Sequence, residues 1–230
     1  MKRLFKGGTI VGAGASQQAD LLVCNDKIVL IGKDLASSDA EVVDVRGKLL
    51  FPGFIDAHTH FDLDVCNTTT ADDFEKGSAA AVCGGTTMVI DFACPNKGET
   101  LGYGLSLWHK KADGRTSCDY GFHMTIDDWN EGIRAEIPQM FEAGISSFKM
   151  YMTYPAMMIG DQDLFSALLE LKKYGGIAGV HLSLIHIYHR PCRHAAERRG
   201  RRTSQVYHGA ASRKVRRSKR SIQSRLQKYL

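Results

Sequence analysis

From residue 52 to residue 181 the sequence alternates between short apolar runs and amphipathic stretches, and no other feature constrains the fold as strongly. The apolar runs predict strands over residues 54–60, 86–92, 120–126, 147–151 and 177–181. The stretches between them predict helices over residues 72–82, 101–112, 130–143 and 162–174. Strands and helices that alternate at these lengths are typical of a parallel sheet. The predicted fold is therefore α/β, an incomplete (β/α)8 TIM-type barrel.

The first 51 residues follow a different pattern, in which short apolar segments are separated by turn residues. A polar turn follows Gly7-Gly8-Thr9-Ile10-Val11, and Asn25-Asp26 and Arg46-Gly47 stand where hairpins need turn residues. We interpret residues 1–51 as a small antiparallel unit, the N-terminal part of a β-sandwich domain. The barrel domain is predicted to occupy residues 52–181.

The composition favours a cytoplasmic protein. No apolar run approaches the roughly 20 residues that span a bilayer, so no membrane partner is expected. The first residues lack the apolar region of a secretory signal. The six cysteines form no CxxC pair and no closely spaced framework, which predicts reduced thiols.

The strongest local signal for chemistry is Gly53-Phe54-Ile55-Asp56-Ala57-His58-Thr59-His60, at the end of the first barrel strand. Residues two apart on a strand point to the same face, so both imidazoles project together. In a parallel barrel the C-terminal strand ends form the mouth of the active site. Two neutral imidazoles there are ligands for zinc or a similar metal, although a chance pair on a surface strand has the same spacing.

Two further residues lie near strand ends on the same rim. Lys149 sits in an apolar strand, where burial would lower its pKa and favour capture of CO₂ as a carbamate that bridges two metals. Taken alone, such a lysine more often reaches out to solvent. His181 closes the last apolar strand, where a hydrogen-bonded core histidine is the commoner role. Together with the histidine pair, these positions favour a metal site.

Three other residues receive structural interpretations. Asp91 closes the second barrel strand, where it either lies near the site or caps the following turn. His123 ends the third strand, and a structural role is favoured there over support of the site. Trp108 is predicted to be a packing residue on the second barrel helix.

The sequence from about residue 1 to His181 resembles the hydantoinase/dihydropyrimidinase family of the amidohydrolases. The segments that support this resemblance are residues 51–62, 70–74, 84–92 and 119–124. The segment most specific to this family is Ser147-Phe148-Lys149-Met150-Tyr151-Met152-Thr153-Tyr154.

The resemblance implies a zinc hydrolase that opens dihydropyrimidine or 5-substituted hydantoin rings by attack of metal-bound hydroxide. It implies His58 and His60 as ligands of the more buried of two zinc ions, with carboxylated Lys149 as the bridge between them. His181 would be the first ligand of the second zinc. Tyr154 would bind the substrate and stabilise the oxyanion of the tetrahedral intermediate. The implied partners are a small cyclic amide and, for the intact family member, further subunits of a homotetramer.

Alternative functions remain. An allantoinase-like cyclic amidohydrolase is one, because allantoinases share the same set of metal ligands. Dihydroorotases usually place an arginine two residues after the second histidine, where this sequence has Asp62, so they are disfavoured. A non-catalytic dihydropyrimidinase-like protein is the alternative from another class, and the presence of His58 and His60 argues against it.

The resemblance ends after His181, where the family continues with Glu-Asn-Gly and this sequence reads Leu-Ser-Leu-Ile-His-Ile. Residues 1–181 contain 16 Lys and Arg against 24 Asp and Glu, a net charge of −8. Residues 182–230 contain 14 basic residues and one acid, a net charge of +13. We interpret this basic, irregular tail as a junction or a shifted reading frame, which makes the chain a truncated and inactive family member. A basic arm that binds nucleic acid is the disfavoured alternative, since no known nucleic-acid module precedes it.

Overall fold

The computed structural model describes residues 1–65 and 68–183, so most of the basic tail lies outside the described residues. The described chain forms two compact units. One contains Met1–Ile55 with Gly85–Thr87, and the other contains Asp56–Gly84 and the chain from Met88 onward. No helix within the described ranges is long and apolar enough to cross a membrane.

The first unit is a five-stranded sheet. Its strands are β1 (Lys2–Val11), β2 (Ser16–Cys24), β3 (Lys27–Gly32), β4 (Glu41–Asp44) and β5 (Leu49–Leu50). β2 pairs antiparallel with β1, and β3 pairs antiparallel with β2. β4 and β5 instead pair with β1 in parallel, so the prediction of an antiparallel unit is wrong for these two strands.

The parallel pairing arises because residues 33–40 form a returning connection rather than a hairpin. They lead the chain from β3 to the edge of β1 that β2 leaves free. The buried carboxylate of Asp20 holds this connection by accepting hydrogen bonds from the backbone N–H groups of Gly7, at 2.8 Å, and Leu35, at 3.0 Å. Turn residues in the sequence show that the chain turns, but not which strand it pairs with next.

The barrel strands form a second five-stranded sheet, in the order β12-β11-β10-β9-β6. The strands that follow the first unit are β6 (Phe54–Thr59), β7 (Asp64–Val65), β8 (Thr68–Thr69), β9 (Thr86–Ala93), β10 (Asp119–Ile126), β11 (Ser147–Tyr151) and β12 (Ile177–His181). β9 to β12 pair in parallel, whereas β7 and β8 form a small antiparallel pair of their own. The predicted incomplete α/β barrel is confirmed.

Four helices connect the barrel strands. They are α1 (Phe74–Cys83), α2 (Leu101–Ala112), α3 (Glu131–Glu142) and α4 (Asp161–Lys173). The first three begin at side chains that accept a hydrogen bond from a backbone N–H of the first turn, namely Asp73, Thr100 and Asn130. These residue types are strongly preferred at the N-cap, which explains why the helix starts can be predicted from the sequence.

The core of the second unit lies between its sheet and its helices. On β11, Phe148 and Met150 are buried and belong to the apolar cluster that also includes Ile137 of α3 and Leu171 of α4. Because successive residues of a strand point to opposite faces, Lys149 lies on the other face of the sheet. That second face presents the candidate site.

Candidate metal centre

The face of the barrel sheet opposite the helices, called the site face, gathers polar and aromatic side chains from all five strands. It comprises His58, His60, Phe92, His123, Lys149, Tyr151 and His181. The ring of Phe92 on β9 is the common neighbour of the first group. Its centroid lies 4.7 Å from that of His58 and 4.9 Å from that of His60. The Lys149 Nζ atom lies 5.8 Å from the same ring. Strands β6 and β11 thus bring the predicted histidine pair and the predicted lysine to one place.

The geometry of the histidine pair fits a shared metal ion. The Nε2 atoms of His58 and His60 are 3.2 Å apart, and the two rings meet edge to face. Two imidazole nitrogens that bind one tetrahedral zinc at about 2.0–2.1 Å are separated by about 3.3 Å. The observed separation is close to that value, so the distance between the two nitrogens suits a shared metal ion.

The surroundings of His60 also suit a ligand. Burial lowers the pKa of His60, the nearby Asp91 carboxyl raises it, and the neighbouring His58 and Lys149 lower it further. The net effect favours the neutral imidazole, which is the form that binds metals. The other ring nitrogen, Nδ1, is buried and has no hydrogen-bond partner among the described residues. Nε2, the nitrogen that faces His58, is therefore the one that His60 presents to a metal.

The His, Cys, Asp and Glu side chains of the described residues form no group of three or more that could hold a metal ion. The imidazole pair therefore needs a further ligand of another type, or one from outside the described residues. Of the described side chains around the pair, Lys149 is the one that carboxylation would convert into an oxygen ligand.

A second group lies at the end of β12. The ring of His181 is 5.7 Å from that of Tyr151 and 5.2 Å from that of Tyr154. The Lys149 Nζ atom is 5.4 Å from the Tyr151 ring, so the lysine adjoins both groups. The structure places the five residues singled out in the sequence in two neighbouring groups, with Lys149 next to each.

Tyr154 adopts a backbone conformation that is uncommon for a residue with a side chain, with φ at 65°. Its carbonyl oxygen accepts hydrogen bonds from the N–H groups of Met157, at 2.8 Å, and Met158, at 2.9 Å. This turn holds the residue, and its side chain remains half exposed next to His181.

Asp91 has a larger role than the sequence indicates. Its carboxylate is fully buried and accepts four hydrogen bonds, two of them from residues on either side of His60. Burial raises the pKa of Asp91, and the four donors lower it to a smaller extent. The signal in the sequence is an acid inside an otherwise apolar strand, which predicts a special environment but not its partners.

His123 connects three strands across the site face. Its Nε2 atom lies 2.9 Å from the carbonyl oxygen of Ala57 on β6, and its Nδ1 atom contacts the hydroxyl of Ser147 on β11. Since both nitrogens are engaged, His123 has the contacts of a structural histidine, as the sequence predicts. Trp108 is buried, as predicted, and its indole N–H also donates to Asp91.

Comparison with known proteins relates the chain to one family. The Amidohydrolase family profile matches residues 49–99. A D-hydantoinase of Geobacillus stearothermophilus is 44% identical over 183 residues, which is 79% of this chain and 39% of the relative. The crystal structure of dihydropyrimidinase from Brevibacillus agri superposes with a TM-score of 0.77 at 42% identity. Over the matched residues, this chain is similar to the hydantoinase/dihydropyrimidinase family.

The family match covers most of this chain but a minor part of each relative. A dihydropyrimidinase of Rattus norvegicus is 38% identical over 77% of this chain and 36% of its own length. The B. agri structure is matched over 79% of this chain and 40% of that one. The chain therefore spans about two fifths of the length of these hydantoinase-type relatives.

Proposed function

We propose that the function of this family member is hydrolysis of cyclic amides, with dihydropyrimidines or 5-substituted hydantoins as substrates. The observation that carries the proposal is the convergence of His58, His60 and Lys149 around Phe92, with the His181 group beside them. The family relationship to proteins named D-hydantoinase and dihydropyrimidinase supports this substrate class. We place the activity in the cytoplasm and in a homotetramer of the intact protein.

The proposed cofactor is a pair of zinc ions. His58 and His60 would hold one ion, carboxylated Lys149 would bridge both, and His181 would begin the ligand set of the second. The 3.2 Å approach of the two Nε2 atoms supports the first assignment, and the position of Lys149 between the two groups supports the bridge. When bound, zinc supplies an activated water at neutral pH and polarises the amide carbonyl.

Tyr154 is proposed to orient the substrate and to donate its phenolic proton in a hydrogen bond to the developing oxyanion. Its ring lies 5.2 Å from that of His181 and is half exposed, so a ring amide can reach its hydroxyl. The backbone turn at Met157 and Met158 holds the residue before substrate arrives, which reduces the ordering cost of binding.

We expect the 230-residue chain by itself to show no turnover. The family's later histidine and aspartate ligands have no counterpart in residues 182–230. A metal site that lacks part of its ligand set binds its ions less tightly and positions water poorly.

Zinc binding by the purified chain tests the ligand assignments. We expect bicarbonate to increase zinc affinity, because carboxylation converts Lys149 into a ligand. Lys149→Ala should remove the bicarbonate dependence, and His58→Ala should lower affinity roughly tenfold or more. Lys110→Ala and His109→Ala, on α2 and outside the site face, are the matched controls and should change neither quantity. Zinc binding that is indifferent to both Lys149→Ala and His58→Ala would refute the assignments.

A chimera tests the substrate class. In it, residues 52–181 of this chain replace the matching segment of the G. stearothermophilus D-hydantoinase. A folded, zinc-loaded chimera should hydrolyse hydantoin or dihydrouracil, and Tyr154→Phe should lower its kcat by about 10²–10³. A chimera that folds and holds zinc yet opens neither ring would contradict the proposal.

A further inference from the structure

We propose that Asp91 is a positioning residue for the histidine pair, acting through the backbone of β6 and without contact to a metal or a substrate. The inference rests on the proposed function, because it assigns to Asp91 the task of presenting His60 and His58 to a metal. Among the described residues, the Asp91 carboxylate is the group that binds the chain on both sides of His60.

The two carboxylate oxygens serve different elements. Oδ2 accepts from the Thr59 hydroxyl and from the Phe61 N–H, each at 2.8 Å. Oδ1 accepts from the N–H of Phe92, at 2.7 Å, and from the Trp108 indole N–H, at 3.1 Å. One buried side chain thereby joins the end of β6 to β9 and to α2.

The geometry of a strand explains why this matters for His60. Residues Thr59 and Phe61 lie on the helix side of the sheet, and His60 between them points to the site face. Fixing both neighbours removes the backbone rotations at His60 that would swing its imidazole away from His58. The same carboxylate also holds Phe92, against which both imidazole rings lie.

An amide cannot replace this carboxylate. Each of the two oxygens faces a backbone N–H, and Oδ1 also faces the indole N–H. The amide group of an asparagine would therefore set a donor against a donor in either orientation, leaving buried groups unpaired.

The test measures backbone order and zinc binding separately on the full chain. In metal-free Asp91→Asn we expect hydrogen exchange at the Phe61 amide to accelerate at least roughly tenfold, while amides of α4 keep their protection. Zinc affinity should fall about 10- to 100-fold, as for other residues that orient metal ligands. Thr59→Val, which removes one Oδ2 bond, should weaken zinc binding more than Trp108→Phe, which removes one Oδ1 bond on the α2 side.

Ser78→Ala is the matched control. Ser78 is equally buried and bonds to Phe74 and Ser117, but it does not contact Asp91. It should cost stability without changing zinc affinity or exchange at Phe61. Should Asp91→Asn fail to fold, the comparison of Thr59→Val with Trp108→Phe decides the matter.

The outcomes separate the two proposals. An unchanged Phe61 amide, or zinc affinity that falls equally in Ser78→Ala and Asp91→Asn, would overturn the positioning role. A wild-type chain that binds no zinc, combined with accelerated exchange in Asp91→Asn, would leave Asp91 as the residue that orders β6 and would refute the proposed metal function.

Discussion

At the scale of single residues, Asp127 is the carboxyl group whose ionisation should affect folding most. It is 5% exposed, and its burial raises its pKa to about 7. In the unfolded chain the same carboxyl titrates near pH 4. Below pH 4 it is protonated in both states. As the pH rises to about 7 the unfolded state loses the proton first, so stability falls over this window and stays lower above it.

Asp127→Asn should therefore be more stable than the wild type at pH 8 and equally stable at pH 4. The gain is at most about 4 kcal/mol, the free energy that corresponds to a shift of three pKa units. Thermal unfolding at both pH values measures it. Asp119→Asn, at the exposed start of β10, is the control for the loss of one negative charge and should not stabilise the chain at pH 8. Equal melting temperatures of Asp127→Asn and the wild type at pH 8 would contradict this explanation.

Sequence-based prediction is least informative for residues whose hydrogen-bond partners lie far away in the sequence. The positions of His58, His60 and His181 at strand ends follow from local periodicity, and the structure places them there, whereas Lys149 lies in the middle of β11. The role of Asp91 does not follow, because its donors Phe61 and Trp108 stand 30 and 17 residues away. Only tertiary packing brings such groups together, and no local pattern encodes it.

At the scale of elements, the barrel strands and helices can be predicted from the sequence, because residues within or next to each element specify it. Alternating apolar runs, N-cap side chains and glycines after helices all lie within the element that they define. The parallel pairing of β4 and β5 with β1 cannot be predicted in this way. It depends on residues 33–40, which lead the chain back to the free edge of β1. Pairing partners are set by packing over long distances in the sequence.

Helix α1 gives a prediction in which packing opposes helix propensity. A glycine inside a helix is usually improved by alanine, by about 0.5–1 kcal/mol. At Gly77, however, a Cβ atom would lie 2.3 Å from Cε1 of the buried Phe61 ring. Gly77→Ala should therefore destabilise the chain, by about 1–3 kcal/mol, because the overlap exceeds the gain in propensity.

Gly102 on α2 is the matched control. No atom lies within 4 Å of a Cβ built there, so Gly102→Ala should stabilise the chain by the usual amount. Denaturant unfolding of both variants measures the change in the free energy of unfolding, which should be opposite in sign for the two. If Gly77→Ala also stabilised the chain, the close approach of α1 to Phe61 would be wrong.

At the scale of the whole molecule, the edge strand β3 is where we expect copies of the chain to meet. β3 is at the end of the first sheet and pairs with β2. Its residues Ile28, Val29, Leu30 and Ile31 are 62%, 53%, 50% and 43% exposed. Edge strands with exposed apolar side chains are templates for pairing with another chain. We therefore expect the 230-residue chain to self-associate in a concentration-dependent way.

Adding charge to this edge should weaken the association. Val29→Lys with Ile31→Lys introduces two lysines on β3. It should raise the concentration at which half of the chain is associated by roughly tenfold, about 1.4 kcal/mol. Gln17→Lys with Gln18→Lys adds the same charge at exposed positions of β2 without removing apolar surface. Sedimentation equilibrium of both double variants separates the two causes. If the β2 variant dissociated as readily as the β3 variant, net charge rather than the apolar edge would control assembly.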